Sequence, residues 1–298
     1  MKIAIVLNSG AGTLRGGDPG AVAARISDIF REAGHEVETT LASGGEAVAA
    51  IRRIAAAGTV EVVVAGGGDG TISAAATACA GSDTALGVLP LGTMNLFARS
   101  LHIPLSVDKA AEALARGTIR RVDVARVNGR TFIHALSIGF HAALVEEREK
   151  APTYNSRLQK MAGSVRSWWQ VIRTPRRLSL SIRTDHKTME RDTIGLVVSN
   201  NVLGIGHLPY ADRLDAGVLG LYITTARTPA EIARVTAEAA VGLVSMSPLI
   251  EHLTSQGVDI RFPRHHLKAT VDGELVRLSR PISVESVPGA LKVLAPAE

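Results

Sequence analysis

Apolar residues run almost unbroken through KIAIVL (2–7), VEVVVA (60–65) and TALGVLP (84–90), with EVETTL (36–41) as a more polar companion. Each run is of strand length and rich in β-branched residues. Between them the apolar positions recur at helical spacing. Asp18 followed by Pro19 reads as a cap and first-turn proline, and Gly34 closes that helix. Ser43 and Glu46 make a capping-box pattern before AVAAIRRIAAAG. Strands of this kind alternating with helices predict a parallel sheet covered on both faces, a Rossmann-like α/β domain.

The pattern changes after Gly117. IRRVDVARVNGRTFIHALSI reads as two strand-like runs around Asn128-Gly129, a hairpin signal. Further strands are predicted near 178–184, 193–199, 217–224, 258–263, 268–271, 275–278 and 281–286. Asp272-Gly273 is a second hairpin turn, and helical insertions are predicted near 141–172 and 228–247. This half is mainly antiparallel β. The expected domains are 1–123 and 124–298, with the extreme C-terminus able to pack back on the first.

Ligands of parallel α/β sheets sit beyond the carboxyl ends of the strands. Three segments there carry glycine with hydroxyl or amide side chains: NSGAG (8–12), GGGDGT (66–71) and LGTMN (91–95). The central one fits neither the dinucleotide fingerprint nor the P-loop, which needs Gly-Lys before Ser or Thr. Its glycines let backbone N–H groups approach phosphate, and Thr71 adds a hydroxyl. Asp69 would repel a bare phosphate. It makes sense with Mg²⁺ between them, or as a group orienting a reacting hydroxyl. The plain alternative is a glycine turn with a solvated aspartate.

Composition narrows the field modestly. The 298 residues are 46% hydrophobic but only 3% aromatic, so the cores rest on Ala, Val, Leu and Ile. A net charge of +5 suits anionic partners without choosing among them. Cys79 is alone, which excludes a disulfide framework and a cysteine zinc site. The first apolar run is too short for a signal peptide, and no uncharged stretch is long enough to span a bilayer without Gly or Pro. The expected location is cytoplasmic, with peripheral membrane association.

GGGDGT followed some twenty residues later by PLGTMNLFAR resembles the catalytic domain of the diacylglycerol kinase family, which includes bacterial soluble lipid kinases and sphingosine and ceramide kinases. LNSGAG, SIGF (137–140), the 197–223 segment containing Pro209-Tyr210-Ala211 and Asp215-Ala216-Gly217, and TVDGEL (270–275) match in order along nearly the whole chain. The resemblance implies an ATP- and Mg²⁺-dependent lipid kinase with its active site between the two domains. It implies Glu274 as general base and Asp69 as holder of catalytic Mg²⁺ or the γ-phosphate. Asn8, Thr40, Gly66, Gly67, Gly68, Gly70, Thr71, Thr93 and Asn95 would line the nucleotide. The partners implied are a lipid substrate and an anionic membrane surface, with no nucleic acid; a homodimer stays open.

Three positions depart from the family pattern: Leu96 and His141 stand where aspartates are common, and Ala216 replaces an aspartate of a structural Mg²⁺ stretch. Asp212 and Asp215 are then either cation ligands or two solvated acids. Asp272-Gly273-Glu274 alone would read as an ordinary turn. Asp123 is either a cleft residue or a buried partner of Arg120 or Arg121. His265-His266 has no third ligand and reads as surface. From Lys150 through Thr184 there is no acid, and Leu158, Met161, Val165, Trp168, Trp169 and Ile172 share a helical stripe. It is either an interfacial or a core-facing helix. An NAD kinase shares the Gly-Gly-Asp-Gly-Thr loop, but its Asn-Glu pair is absent here. A non-catalytic nucleotide-binding regulator is the other alternative, opposed by the retention of Asp69 and Glu274.

Overall fold

The computed structural model describes residues 1–150, 172 and 175–297. In chain order the elements are β1 (Lys2–Asn8), α1 (Pro19–Glu32), β2 (Glu36–Ala42), α2 (Gly44–Ala57), β3 (Val62–Gly67), α3 (Asp69–Cys79), β4 (Ala85–Pro90), α4 (Leu96–Ser100) and α5 (Val107–Ala115). There follow β5 (Thr118–Val127), β6 (Arg130–Phe132), β7 (Ala135–Gly139), α6 (Phe140–Lys150), β8 (Leu178–Thr184), β9 (Thr188–Thr193), β10 (Gly195–Asn200) and β11 (Leu219–Thr224). The chain closes with α7 (Pro229–Ala240), β12 (Ile250–Ser255), β13 (Gly257–Arg261), β14 (His266–Val271), β15 (Glu274–Ser279) and β16 (Ile282–Ala295).

The four apolar N-terminal strands pair in parallel in the order β2-β1-β3-β4. Val62 to Gly67 and Ala85 to Pro90 are buried throughout, as a sheet covered on both faces requires. The helices start where the sequence puts their caps. Asp18 accepts a bond from the Gly20 amide, and Ser43 with Glu46 forms the capping box of α2. The second sheet is antiparallel throughout, in the order β12-β11-β10-β7-β14-β15. Both predicted two-residue turns have left-handed backbone at each position: Asn128 and Gly129 at φ 47° and 83°, Asp272 and Gly273 at 48° and 83°. That is the I′ geometry matching the strand twist.

Three features depart from the expected element list. The strand predicted at 281–286 runs on to Ala295, with a register shift between Val287 and Leu291. Its first half pairs with β13 and its last residues pair in parallel with β4, so the C-terminus extends the first sheet. β9 and β12 were not anticipated. Both are edge strands, TMERDT and IEHLTS, whose outer positions are polar because one side faces solvent. Their alternation is too faint to separate them from loops. The helix predicted at 228–247 ends at Ala240, with a 3₁₀ turn at Val244–Met246. The predicted 157–172 stripe lies outside the described residues, apart from buried Ile172.

Among the described residues no helix is long and apolar enough to cross a membrane. Cys79 sits at the end of α3 with no exposure, and burial pushes its thiol up to about 12. It should therefore resist thiol reagents at pH 8 in the native protein and react on unfolding. Rapid labelling of the native chain would show that α3 opens.

Candidate active site

The three glycine loops meet at the carboxyl ends of β1, β3 and β4, and side chains stitch them together. Asn8 Nδ2 donates to Thr71 Oγ1 at 3.1 Å. Asn8 Oδ1 accepts from the amides of Gly10 at 3.0 Å and Gly44 at 3.1 Å. One amide side chain thus ties its own loop to the start of α2 and the start of α3. Thr13 Oγ1 donates to the Leu91 carbonyl at 3.1 Å, joining the first loop to the third.

Asp69, the first residue of α3, bridges the second and third loops. Its oxygens accept from the backbone amides of Asn95 at 3.1 Å and Leu96 at 2.8 Å. Those amides open α4, so the carboxylate caps a second helix. Asn95 takes the left-handed conformation, φ 50°, and closes its loop by two 2.9 Å bonds with Gly92. The loops touch so closely that a Cβ on Gly92 would lie 2.6 Å from the Cα of Gly68. Gly92→Ala should therefore separate the loops and lower the thermal midpoint by several degrees, the scale of about 1–3 kcal/mol of overpacking. An unchanged midpoint would show that the contact yields freely.

Gly66 and Gly67 are buried within β3. A Cβ on Gly66 would meet Leu7 and Leu91 at 2.5 and 2.9 Å, and one on Gly67 would strike Thr71 at 2.6 Å. Both glycines let side chains pack against the strand. The same end of the sheet opens into a cleft of about 590 Å³. Asn8, Gly70, Thr71, Arg52 and Glu274 lie on its wall, with the first turn of α2. Two helix N-termini, those of α2 and α3, border this space, and their unpaired N–H groups favour an anion.

Glu274 reaches the cleft from the other half of the molecule. It begins β15 directly after the Asp272-Gly273 turn and is exposed, with Arg130 Nη2 at 2.5 Å. What fixes this hairpin is Asp272. Its carboxylate accepts from the amides of Ile133, His134 and Ala135 at 3.0, 2.8 and 3.1 Å, and from Ser73 Oγ of α3 at 2.6 Å. Asp272 therefore joins α3 to the strand that carries Glu274.

The other sequence candidates fall elsewhere. Thr40 lies in β2 opposite Val6 and does not line the cleft. Thr93 is exposed on the third loop. Asp123 is buried, and its carboxylate serves backbone amides. It accepts from the amides of Gly217 at 2.7 Å and Gly289 at 2.9 Å, pinning two loops. Arg121 donates to the Gly289 carbonyl, so it holds the same loop that Asp123 does. His265 and His266 are exposed. Arg52, Arg130 and Asp272 were missed as site residues. The Arg52-Arg53 pair in an alanine-rich helix was a visible signal; the distant partners of Asp272 gave none.

A Mg²⁺ ion beside Asp69 fits the residues present. Among the described residues each Asp69 oxygen accepts one amide hydrogen and keeps a lone pair, and Mg²⁺ bound together with phosphates needs only one or two protein carboxylates. A structural Mg²⁺ at 212–217 does not fit. Asp212 bonds His207 at 2.8 Å, Asp215 faces Arg213 at 3.3 Å, and Ala216 offers no side-chain oxygen. Among the described residues no three His, Cys, Asp or Glu side chains cluster as a metal site. A chelator should thus leave the thermal midpoint of the nucleotide-free protein unchanged. A clear fall, restored by Mg²⁺, would contradict this.

Residues 2–127 match the diacylglycerol kinase catalytic domain, and residues 135–295 match the YegS C-terminal NAD kinase beta sandwich-like domain. The diacylglycerol kinase of Bacillus subtilis (strain 168) is 30% identical over 244 residues, 79% of this chain and 76% of that protein. A Synechocystis protein is 26% identical over 77% of this chain, which spans only 54% of that relative's length. The crystal structure of a diacylglycerol kinase from Bacillus anthracis str. Sterne shares the fold, with a TM-score of 0.73, 19% identity and coverage of 99% of this chain and 96% of that one. The chain therefore belongs to the diacylglycerol kinase family of kinase enzymes.

Proposed function

We propose that this protein transfers the γ-phosphoryl group of ATP, with Mg²⁺, to the hydroxyl of a diacylglycerol-like lipid in the cleft bordered by Glu274 and the glycine loops. The observation that carries this reading is the meeting of a carboxylate from the second half with the glycine loops of the first. Residues 1–123 would hold the nucleotide and 124–298 the acceptor. The protein would work as a peripheral enzyme at the cytoplasmic face of a membrane.

The nucleotide phosphates would lie against the N–H groups opening α2 and α3. Asn8 and Thr71 would add side-chain bonds, and Arg52 a charge-assisted one. Asp69 would hold Mg²⁺, which spreads the charge of the transferring group when bound. Glu274 would accept the proton of the lipid hydroxyl as the new O–P bond forms, while ADP departs with the electrons of the broken bond. Arg130 orients the Glu274 carboxylate at the cleft mouth.

Glu274→Gln keeps the shape and loses the base. Turnover should fall at least ~10²-fold with ATP affinity unchanged. The pair of measurements is steady-state phosphorylation and ATP titration. A variant that binds ATP poorly yet turns over normally at saturation would make Glu274 a binding residue and remove it from proton transfer.

A further inference from the structure

Ser73 lies inside α3, four residues after Asp69 and about 6 Å further along the axis at the helical rise. A hydroxyl inside a helix can turn back onto the carbonyl four residues earlier. Ser27, Thr77 and Thr236 do so here, donating to the carbonyls of Ala23 at 2.7 Å, Ser73 at 3.0 Å and Ile232 at 2.8 Å. Ser73 directs its hydroxyl elsewhere. Its Oγ donates out of the helix to Asp272 Oδ2 at 2.6 Å, across 199 positions of the chain.

The acceptor is not a loose surface acid. The Asp272 carboxylate already holds three consecutive amides at 133–135, and the Asp272 amide donates to the Ala135 carbonyl at 3.0 Å. A hydroxyl donating to a carboxylate makes a short and strong bond, and 2.6 Å lies in that range. The Asp272-Gly273 turn is thus fixed from two sides. Residues 133–135 grip it from its own sheet, and Ser73 grips it from the other half of the molecule.

The position of this bond matters for the chemistry. On one side of it stands the start of α3, with Asp69 and the N–H groups that face the phosphate space. On the other side Glu274 follows Asp272 by two residues, at most about 7 Å along the chain at the strand rise. One helical turn, one hydrogen bond and two residues therefore separate Asp69 from Glu274. These two carboxylates come from different halves, and the reaction needs them in register. Reacting groups held about 1 Å out of place can cost about 10²-fold in rate.

We propose that Ser73 is a positioning residue for phosphoryl transfer: its hydroxyl sets the approach of Glu274 to the nucleotide held at the start of α3. The step it serves rests on the kinase reading; the link between the halves does not.

The experiment compares the parent, Ser73→Ala, Ser73→Thr and Thr77→Ala. The last removes a hydroxyl of the same helix that bonds back onto the Ser73 carbonyl. All four are assayed well below their thermal midpoints, so that lost stability does not enter kcat. The first measurement is steady-state transfer from labelled ATP to diacylglycerol in mixed vesicles. Ser73→Ala should lose about 30-fold in kcat with KM for ATP within about 3-fold of the parent. Ser73→Thr keeps the hydroxyl, and it and Thr77→Ala should stay within about 3-fold of the parent in kcat. The second measurement is hydrogen exchange at the amides of Ile133, His134 and Ala135 in the nucleotide-free protein. Exchange should quicken about 10-fold in Ser73→Ala and stay unchanged in the other two variants. A Ser73→Ala kcat within about 3-fold of the parent, a loss carried by KM for ATP, or an equal loss in Thr77→Ala would overturn the proposal. So would unchanged exchange in Ser73→Ala. A parent that labels no lipid, with exchange responding as expected, would leave the link standing and retire the kinase reading.

Discussion

Replacing Asp69 by Ala is expected to reduce phosphoryl transfer by ~10³-fold or more, the upper range for removing one preorganised charged group at a reacting phosphate. Two losses combine. The side chain proposed to hold Mg²⁺ disappears. The amides of Asn95 and Leu96 also lose their shared acceptor, so the third glycine loop is no longer fastened to the second. Because both amides lie in a partly buried place, the fold should weaken by about 1–3 kcal/mol without unfolding. Turnover and thermal midpoint, measured together on parent and variant, separate the effects. Asp69→Asn is the informative companion. It can accept from one amide but presents an NH₂ group toward the other, and it offers no negative charge to a metal. It should therefore regain part of the midpoint and almost none of the turnover. Near-parent turnover in either variant would take Asp69 out of the mechanism.

The largest stability effect is expected at Asp272. Asp272→Ala removes four hydrogen-bond acceptor contacts at once, three to consecutive amides at 133–135 and one to Ser73. Leaving several such donors unsatisfied costs roughly 3–5 kcal/mol. The residue also has φ 48°, a conformation that Asp and Asn tolerate better than Ala. The expected order in urea midpoint is parent, then Asp272→Asn, then Asp272→Ala. Turnover should fall in the same order, because the hairpin that aims Glu274 is anchored here. Asp272 acts by positioning, and rescue by Asn is the sign of that role. An Ala variant within about 1 kcal/mol of the parent would show that other contacts hold the hairpin.

The two halves were legible in the sequence for different reasons. In the first, continuous apolar runs and paired caps such as Ser43 with Glu46 express local rules, and the elements formed where those rules put them. In the second, the turns at Asn128-Gly129 and Asp272-Gly273 were read from backbone needs that only a few residues meet. What could not be read was pairing at a distance. β16 extends the parallel sheet through two residues beside β4, a contact with no local signature. β9 and β12 lie at sheet edges, where solvent permits polar side chains and blurs the alternation.

The site shows the same division. The glycine loops could be placed at one sheet edge from the strand pattern alone. Which glycines serve packing could not: Gly66 is required by Leu7 and Leu91, the latter 25 positions away. Asp123 was left between the cleft and the adjacent arginines because proximity in sequence was the sole guide. Its carboxylate accepts from the distant amides of Gly217 and Gly289. Buried carboxylates that serve backbone amides leave no charge pattern to detect.

The central claim is that the cleft moves a phosphoryl group from ATP to a lipid hydroxyl. The direct measurement is incubation with γ-labelled ATP and Mg²⁺ beside a panel of acceptors: diacylglycerol, a sphingoid base, ceramide and phosphatidylglycerol in mixed vesicles, and NAD in solution. The account predicts label in the lipid fraction, with a diacylglycerol-like acceptor labelled fastest and the Glu274→Gln variant at least ~10²-fold slower. Label in NAD, or label only in free phosphate with every lipid left unmodified, would contradict it.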